Sequence, residues 1–178
     1  MRRLGQALGI EAMSLYTYIG SRAELLDGLS EIMVESLPRN AEATDWRDAI
    51  RSFAHAIRTT AKDHPEAFLL VGMRPLKSTG SLAPVEQLLS TLLRSGFDPP
   101  QAVRAYRFVA AYARGFALAE IEGFTLEHDH STAPGAHAAI AEARASREAL
   151  DHDSSFNFAL ETIVAGLAAH LPPRASGS

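Results

Sequence analysis

The sequence predicts an all-α protein, and three observations predict it. Apolar residues recur at three- and four-residue spacing through long alanine-rich segments, Gly and Pro gather at the junctions between them, and no convincing apolar–polar alternation of strand length appears. With 178 residues, 47% of them hydrophobic and 21% charged, the chain can bury a real core as one or two domains. It has no cysteine, which excludes disulfide scaffolds, thiolate metal sites and cysteine nucleophiles. No apolar run reaches the ~18 residues of a membrane span, and the first residues lack the apolar centre of a signal peptide. A cytoplasmic protein with no membrane partner is expected.

The elements follow in order. A first helix runs from about Met1 to Leu8, with Leu4 and Leu8 one turn apart and facing inward. Gly5 is small where two helices cross closely, although it costs ~1 kcal/mol of helix propensity relative to Ala. Gly9 supplies the backbone freedom for a sharp turn. A second helix spans about Glu11 to Ile19, its Leu15 and Ile19 turned inward and Ile10 and Leu15 closing a small core beneath it. A third starts at Ser21, where S-x-x-E with Glu24 forms a capping box, and continues to Pro38. The polar "RNAEAT" of residues 39–44 is a linker and separates a domain at 1–38 from one at 39–172. Thr44 caps the next helix, with Trp46, Ile50, Phe53 and Ile57 on one stripe and Asp48, Arg51, His55, Arg58 and Lys62 on a solvated face. "HPEAFLLVGM" is a short apolar helix stopped by "RPLKSTGS", and "APVEQLLSTLLRSG" is another, closed by Gly96. The longest helix runs from Pro99 to about Phe124, roughly 36–39 Å at 1.5 Å per residue. It is apolar over most of its circumference, with Arg104, Arg107 and Arg114 confined to one line, and so is expected to be buried on more than one side. Residues 125–135 read as a loop and 136–149 as a weaker helix. In the last helix, from Ser155 to about His170, Phe156, Leu160, Ile163 and Leu167 form a bundle seam. Residues 173–178 form a disordered tail.

The second helix carries the chemistry. Once Leu15 and Ile19 turn inward, Ala12, Met13, Ser14, Thr17 and Tyr18 are left outward. They are short or able to hydrogen-bond, as a helix seated in a major groove requires. Arg2 and Arg3 begin the preceding helix and Arg22 the following one, where they flank a groove and can meet phosphates. Net charge is −4, so affinity for nucleic acid has to be local. Residues 1–22 set Arg2, Arg3 and Arg22 against Glu11 alone, while the rest of the chain is net acidic. Small at 5, Gly at 9 and aliphatic at 15 together describe a helix-turn-helix.

The stretch "RRLGQALGIEAMSLYTYIGSRAELLDGL" resembles the DNA-binding domain of the tetracycline-repressor (TetR) family of transcriptional regulators. Its most specific portion is LY-x-x-hydrophobic-x-[SN]-[KR]-x-x-LL. The resemblance is strong at residues 2–29 and looser through the Trp46 helix, "VGMRP", "LLRSGFDPPQA" and "FNFALETIVAGL". It implies an all-helical homodimer with an N-terminal DNA reader and a C-terminal ligand-binding and dimerisation domain. On that resemblance Tyr16 and Arg22 match phosphate-contacting positions. Arg2, Ala12, Met13, Ser14, Thr17 and Tyr18 match positions facing bases or their flanking backbone, with Arg3 a neighbour. The helices at 99–124 and 155–170 would pair across the dimer as a four-helix bundle. Tetracycline-binding members have a magnesium-ligating histidine where this chain has Leu70 and a glutamine where it has Leu88, so a magnesium–tetracycline complex is not the expected effector. The family also carries one more helix before "RRLGQAL". Its first helix apparently missing, the chain is expected to expose Leu4, Leu8 and Leu25, each losing up to ~1.5–3 kcal/mol of burial.

In that fold the pocket lies among helices at 45–62, 64–72, 82–95 and 99–122. Inward candidates are Phe53, Ile57, Leu70, Met73, Val85, Leu88, Leu89, Val103, Tyr106 and Ala110; most are apolar, which suits a lipophilic small-molecule effector. "EHDH" at 127–130, with His137 or His152, lacks the spacing of a metal site, and none is expected. No nucleophile elbow, phosphate-binding glycine loop, H-E-x-x-H motif or distinct carboxylate pair appears, so neither an enzyme nor a cofactor is expected. The predicted function is a ligand-responsive regulator, a repressor, binding a palindromic double-stranded DNA operator as a homodimer. The alternative is a helical dimer that sequesters a small molecule and does not bind DNA.

Overall fold

The computed structural model describes residues 2–37, 45–124, 138–147 and 151–170, and of Ala12 and residues 144–147 the backbone only. The described residues form α1 (Arg2–Leu8), α2 (Ala12–Tyr18), α3 (Arg22–Glu35), α4 (Trp46–Asp63), α5 (Pro65–Val71), a 3-10 turn (Gly80–Leu82), α6 (Ala83–Arg94), α7 (Pro99–Glu122), α8 (Ala138–Arg147) and α9 (His152–Ala169), with no strand among them.

Local chemistry sets the ends. Ser21 accepts from the backbone N–H of Glu24 at 3.1 Å, and the Glu24 carboxylate accepts from the Gly20 N–H at 2.9 Å, so α3 starts where the capping box placed it. α4 is capped by Asp45, which accepts from the Arg47 N–H at 2.7 Å; the expected cap, Thr44, lies outside the described residues. Asp98 and Gln101 form a reciprocal capping box ahead of α7, and Gly123, at φ 90°, stops it. Asp151 accepts from the Ser154 N–H at 2.6 Å, which moves the start of α9 to His152, three residues before the predicted Ser155. The predicted linker at 39–44, the loop at 125–135 and the tail at 173–178 lie outside the described residues, as do "EHDH" and His137.

The core centres on α4, which packs against α5, α6, α7 and α9. Its stripe of Trp46, Ile50, Ala54, Ile57 and Ala61 is buried, and α7 meets it with Ala102, Ala105, Val109, Ala113 and Ala117. Small side chains on α7 let the two axes approach closely. Trp46 stands edge-on to Phe97 with ring centroids 5.1 Å apart. Fully buried Phe156 lies against Tyr112 and Phe116.

Two expectations are corrected here. The charged side of α4 is solvated only in part: Asp48, His55 and Lys62 are exposed as expected, but partners on α7 and α9 enclose Arg58 and half-bury Arg51. Arg58 is only 5% exposed; its Nε and Nη2 donate to the Glu120 carboxylate at 2.7 and 2.6 Å, its Nη1 lies 2.6 Å from Asp153, and the guanidinium sits 4.8 Å over the Phe156 ring. Those bonds hold the Glu120 carboxyl below its ordinary value. Arg51 joins Glu161 through two 2.7 Å bonds, and His55 stands edge-on to Phe156 at 5.1 Å. Helical periodicity put these charges on one line, but distant carboxylates on α7 and α9 gave that line partners. Second, α7 packs against α4, α5, α6 and α9, as a helix buried on more than one side should, but one flank stays open. Phe108 is 55% exposed on that flank, where Val103 is also exposed.

The first two helices bury little. Leu15 is 5% exposed and Gly5 is buried, while Leu4, Ile19 and Leu25 are half-buried. Leu8, for which exposure was expected, is exposed; Ile10, expected to help close the small core beneath α2, is exposed as well.

Candidate nucleic-acid interface and effector cavity

The turn between α1 and α2 is built as its glycine suggests. Gly9 has φ 69°, and the N–H groups of Gly9 and Ile10 return to the carbonyls of Gln6 and Gly5 at 3.3 and 3.0 Å. This reverses the chain tightly enough for Leu15 to become the anchor of α2. The rest of that helix faces solvent: Met13, Ser14, Tyr16 and Thr17 are exposed, and Tyr18 is 84% exposed. Ala12 opens the helix. Arg2, Arg3 and Arg22 are exposed, and none has an ion partner among the described residues. Three uncompensated guanidinium groups thus border a short helix that presents two phenols and two hydroxyls. Such an arrangement supplies phosphate-binding charge beside hydrogen-bonding side chains of groove-reading length.

Immediately after α2, α3 ties this surface to the rest of the molecule. Asp27 accepts from Arg74 Nε at 2.9 Å and from Lys77 Nζ at 2.6 Å, both on the segment after α5. These two cations hold the Asp27 carboxyl below its ordinary value, the Lys77 bond contributing most. One turn further, α3 becomes the wall of a recess. Ser30, Met33, Val34 and Leu37 come from α3 and its end; Phe53, Ile57 and Thr60 come from α4. Phe68, Val71 and Gly72 of α5, then Arg74 and Leu76, Val85 of α6 and Arg114 of α7 complete it. The recess holds about 500 Å³ of empty space out to its mouth, but the cavity proper is only about 40 Å³.

Of the predicted pocket residues, Phe53, Ile57 and Val85 line this cavity. Tyr106 lies behind it, edge-on to Phe53 at 6.0 Å, and Leu89 packs on the core. Leu88 and Ala110 are buried, Leu88 in the packed core, whereas Leu70, Met73 and Val103 are exposed. Sequence reasoning omitted the α3 side of the cavity, because it restricted the search to the segments after residue 44. It also omitted Arg114, whose signal was present: a cation on a helix otherwise wrapped by apolar groups. A second groove, of about 560 Å³, lies between α7 and α9, with Phe97, Arg104, Phe108, Ile163, Gly166 and Leu167 among its lining residues. No cluster of metal-ligating side chains occurs among the described residues, and no helix among them is long and apolar enough to cross a membrane.

An all-helical chain with an N-terminal helix-turn-helix and a helical body enclosing a small cavity has the architecture of a one-component transcription regulator. The family model of the tetracyclin repressor-like C-terminal domain matches residues 37–171. An HTH-type transcriptional regulator of Saccharopolyspora erythraea is 30% identical over 189 residues, covering 95% of this chain and 75% of the relative. The class G tetracycline repressor protein of Vibrio anguillarum is 29% identical over 177 residues, covering 93% of this chain and 81% of the relative. Among solved structures, the TetR family protein ActR of Streptomyces coelicolor, in complex with actinorhodin, superposes with a TM-score of 0.74 at 23% identity, covering 95% of this chain and 86% of that one. The chain belongs to the tetracycline-repressor (TetR) family of transcriptional regulators. Its matched relatives are regulators, not enzymes.

Proposed function

We propose that this protein is a repressor that binds a palindromic DNA operator as a homodimer and is released by a small, mainly lipophilic effector. The observation that carries the reading is α2: a short helix after a positive-φ glycine, held by one buried leucine, with its remaining described side chains exposed beside arginines that have no ion partner among the described residues. In this reading Tyr16 and Arg22 contact phosphates, and Ala12, Met13, Ser14, Thr17 and Tyr18 face bases and flanking backbone. Arg2 and Arg3 add charge at the edge of the groove.

Pairing of α7 and α9 with their copies would set two such readers about one helical turn of DNA apart, or a multiple of it. The exposure of Phe108 and of Phe158, the latter 77% exposed, supports that face as the contact. Effector release follows from volume. Small-molecule sites run to about 300–1,000 Å³, so a cavity of about 40 Å³ has to widen to accept one. One of its walls is α3, whose first turn adjoins the reader, and the Asp27–Arg74–Lys77 cluster is the joint between that wall and the body. Parting the walls tilts α3 and changes the spacing of the paired readers. The coupling needed is ordinary, about 1–3 kcal/mol.

The test is selection of bound duplexes from a random pool, followed by gel-shift titration of Tyr16→Ala and Arg22→Ala. A near-palindrome should emerge, and each variant should bind it about ten-fold more weakly or worse, with Arg22→Ala lowering the salt slope by about one. Enrichment of no sequence would favour a dimer that only sequesters its ligand.

A further inference from the structure

Most of the cavity wall under α3 is apolar, and three polar groups on it have no partner among the described residues. Ser30 and Thr60 are both more than nine-tenths buried, and neither hydroxyl has a hydrogen-bond partner among the described residues. No fully shielded side-chain nitrogen or oxygen among the described residues lacks a partner, and both Ser30 and Thr60 line the cavity. Arg114 is half-buried, lines the same cavity, and has neither an ion partner nor a hydrogen bond among the described residues. The other cation on the wall, Arg74, is already committed to Asp27.

A guanidinium does not lose its charge at any ordinary pH. Drawing it partly out of water beside Phe53, Ile57 and Val85 is unfavourable unless an anion meets it. Elsewhere this chain provides that anion: Glu120 and Asp153 for Arg58, Glu161 and Asp48 for Arg51. At Arg114 the described residues provide none. The planar fork of donors fits a carboxylate or sulfonate, and the two hydroxyls offer further donors on the same wall.

We propose that the cavity takes a lipophilic organic anion, its acidic group paired with Arg114 and its apolar body against Phe53, Ile57 and Val85. The inference rests on the cavity being the effector site, and narrows the effector from a lipophilic compound to a lipophilic acid.

A matched pair of fluorescent probes tests it on the full chain: anilinonaphthalene sulfonate, and N-phenylnaphthylamine, which has the same aromatic body without the acid. Wild type should bind the sulfonate more tightly than the neutral probe. Arg114→Gln should weaken the sulfonate by about ten-fold or more and leave the neutral probe within about two-fold, while Arg114→Lys recovers most of the loss. Val85→Trp, which puts bulk into the cavity, should abolish both signals. An unchanged sulfonate affinity in Arg114→Gln, or equal losses for both probes, overturns the proposal. If Val85→Trp removes both probes and Arg114→Gln moves neither, the anion assignment falls and the cavity reading stands. If Val85→Trp moves neither probe, the cavity is not the site, and both fall together. Should Arg114→Gln lose its helical circular dichroism, Arg114→Met takes its place, and absence of a wild-type preference for the sulfonate is itself enough to refute the idea.

Discussion

The two ends of the molecule are stabilised by different physics. Around α4, α7 and α9 the chain buries Trp46, Ile50, Val109, Phe156 and Leu160 almost completely, and it locks a charged guanidinium among two carboxylates and two aromatic rings. In α1 and α2 the buried residues among those described are Gly5 and Leu15, and order comes from a positive-φ turn and the capping box that follows. The difference teaches what a reading surface costs. A helix that leaves most of its side chains outward, as the proposed DNA reader does, has few left to bury, so it depends on local devices and on the helix behind it. The body has no such demand on its inner faces and packs them like an ordinary core.

The contrast can be broken or sharpened by substitution. The largest effect is expected at Phe156, where truncation to Ala opens a cavity among Tyr112, Phe116 and Arg58; unfolding in urea should show a loss of about 3–5 kcal/mol. Next comes Glu120→Gln, which leaves Arg58 with Asp153 as its charged partner and should cost about 1.5–3 kcal/mol. The same pair predicts an acid response. The Glu120 carboxyl is depressed in the folded state, so its contribution is present above the ordinary value of 4.5 and is lost as pH falls through the lower folded value. Thermal melts from pH 6 to pH 3 should therefore fall less steeply for Glu120→Gln than for wild type.

Leu15→Ala should cost about 2 kcal/mol, at the low end for leucine because its half-open surroundings can relax, and hydrogen exchange should place the loss in α1 and α2. If it destabilises α4 and α7 as much as Phe156→Ala does, the two regions are not energetically distinct. The smallest effect belongs to the cap: Ser21→Ala should remove about 1 kcal/mol from the start of α3, read as faster exchange of the Leu25 amide, with the body unchanged.

Local signals carried the reader. Gly9, the inward Leu15, and the Ser21–Glu24 cap are all decided within four or five residues, and periodicity alone showed which α2 side chains face outward. The same logic was only partly right for α4, where Asp48, His55 and Lys62 are exposed but Arg58 is buried. Its charged line was legible, but the partners of Arg58 lie 62 and 95 residues away, and no local rule distinguishes a charge facing water from one facing a carboxylate brought in by folding. Candidates such as Leu70 and Met73 had the right polarity, yet they lie on the exposed side of α5 and just beyond its end, where helix rotation rather than composition decides their direction.

By itself the sequence determined the helical class, the Gly9 turn, the Ser21–Glu24 cap, and a short exposed helix with arginines on either side, since those depend on spacing within a turn or two. Only the tertiary structure decided that α3 joins α2 to the cavity, that Arg58 is enclosed while Arg114 has no anion among the described residues, and which face of α7 stays open. Each of these is set by what packs alongside from far along the chain, and burial, unlike helix formation, is a property of neighbours.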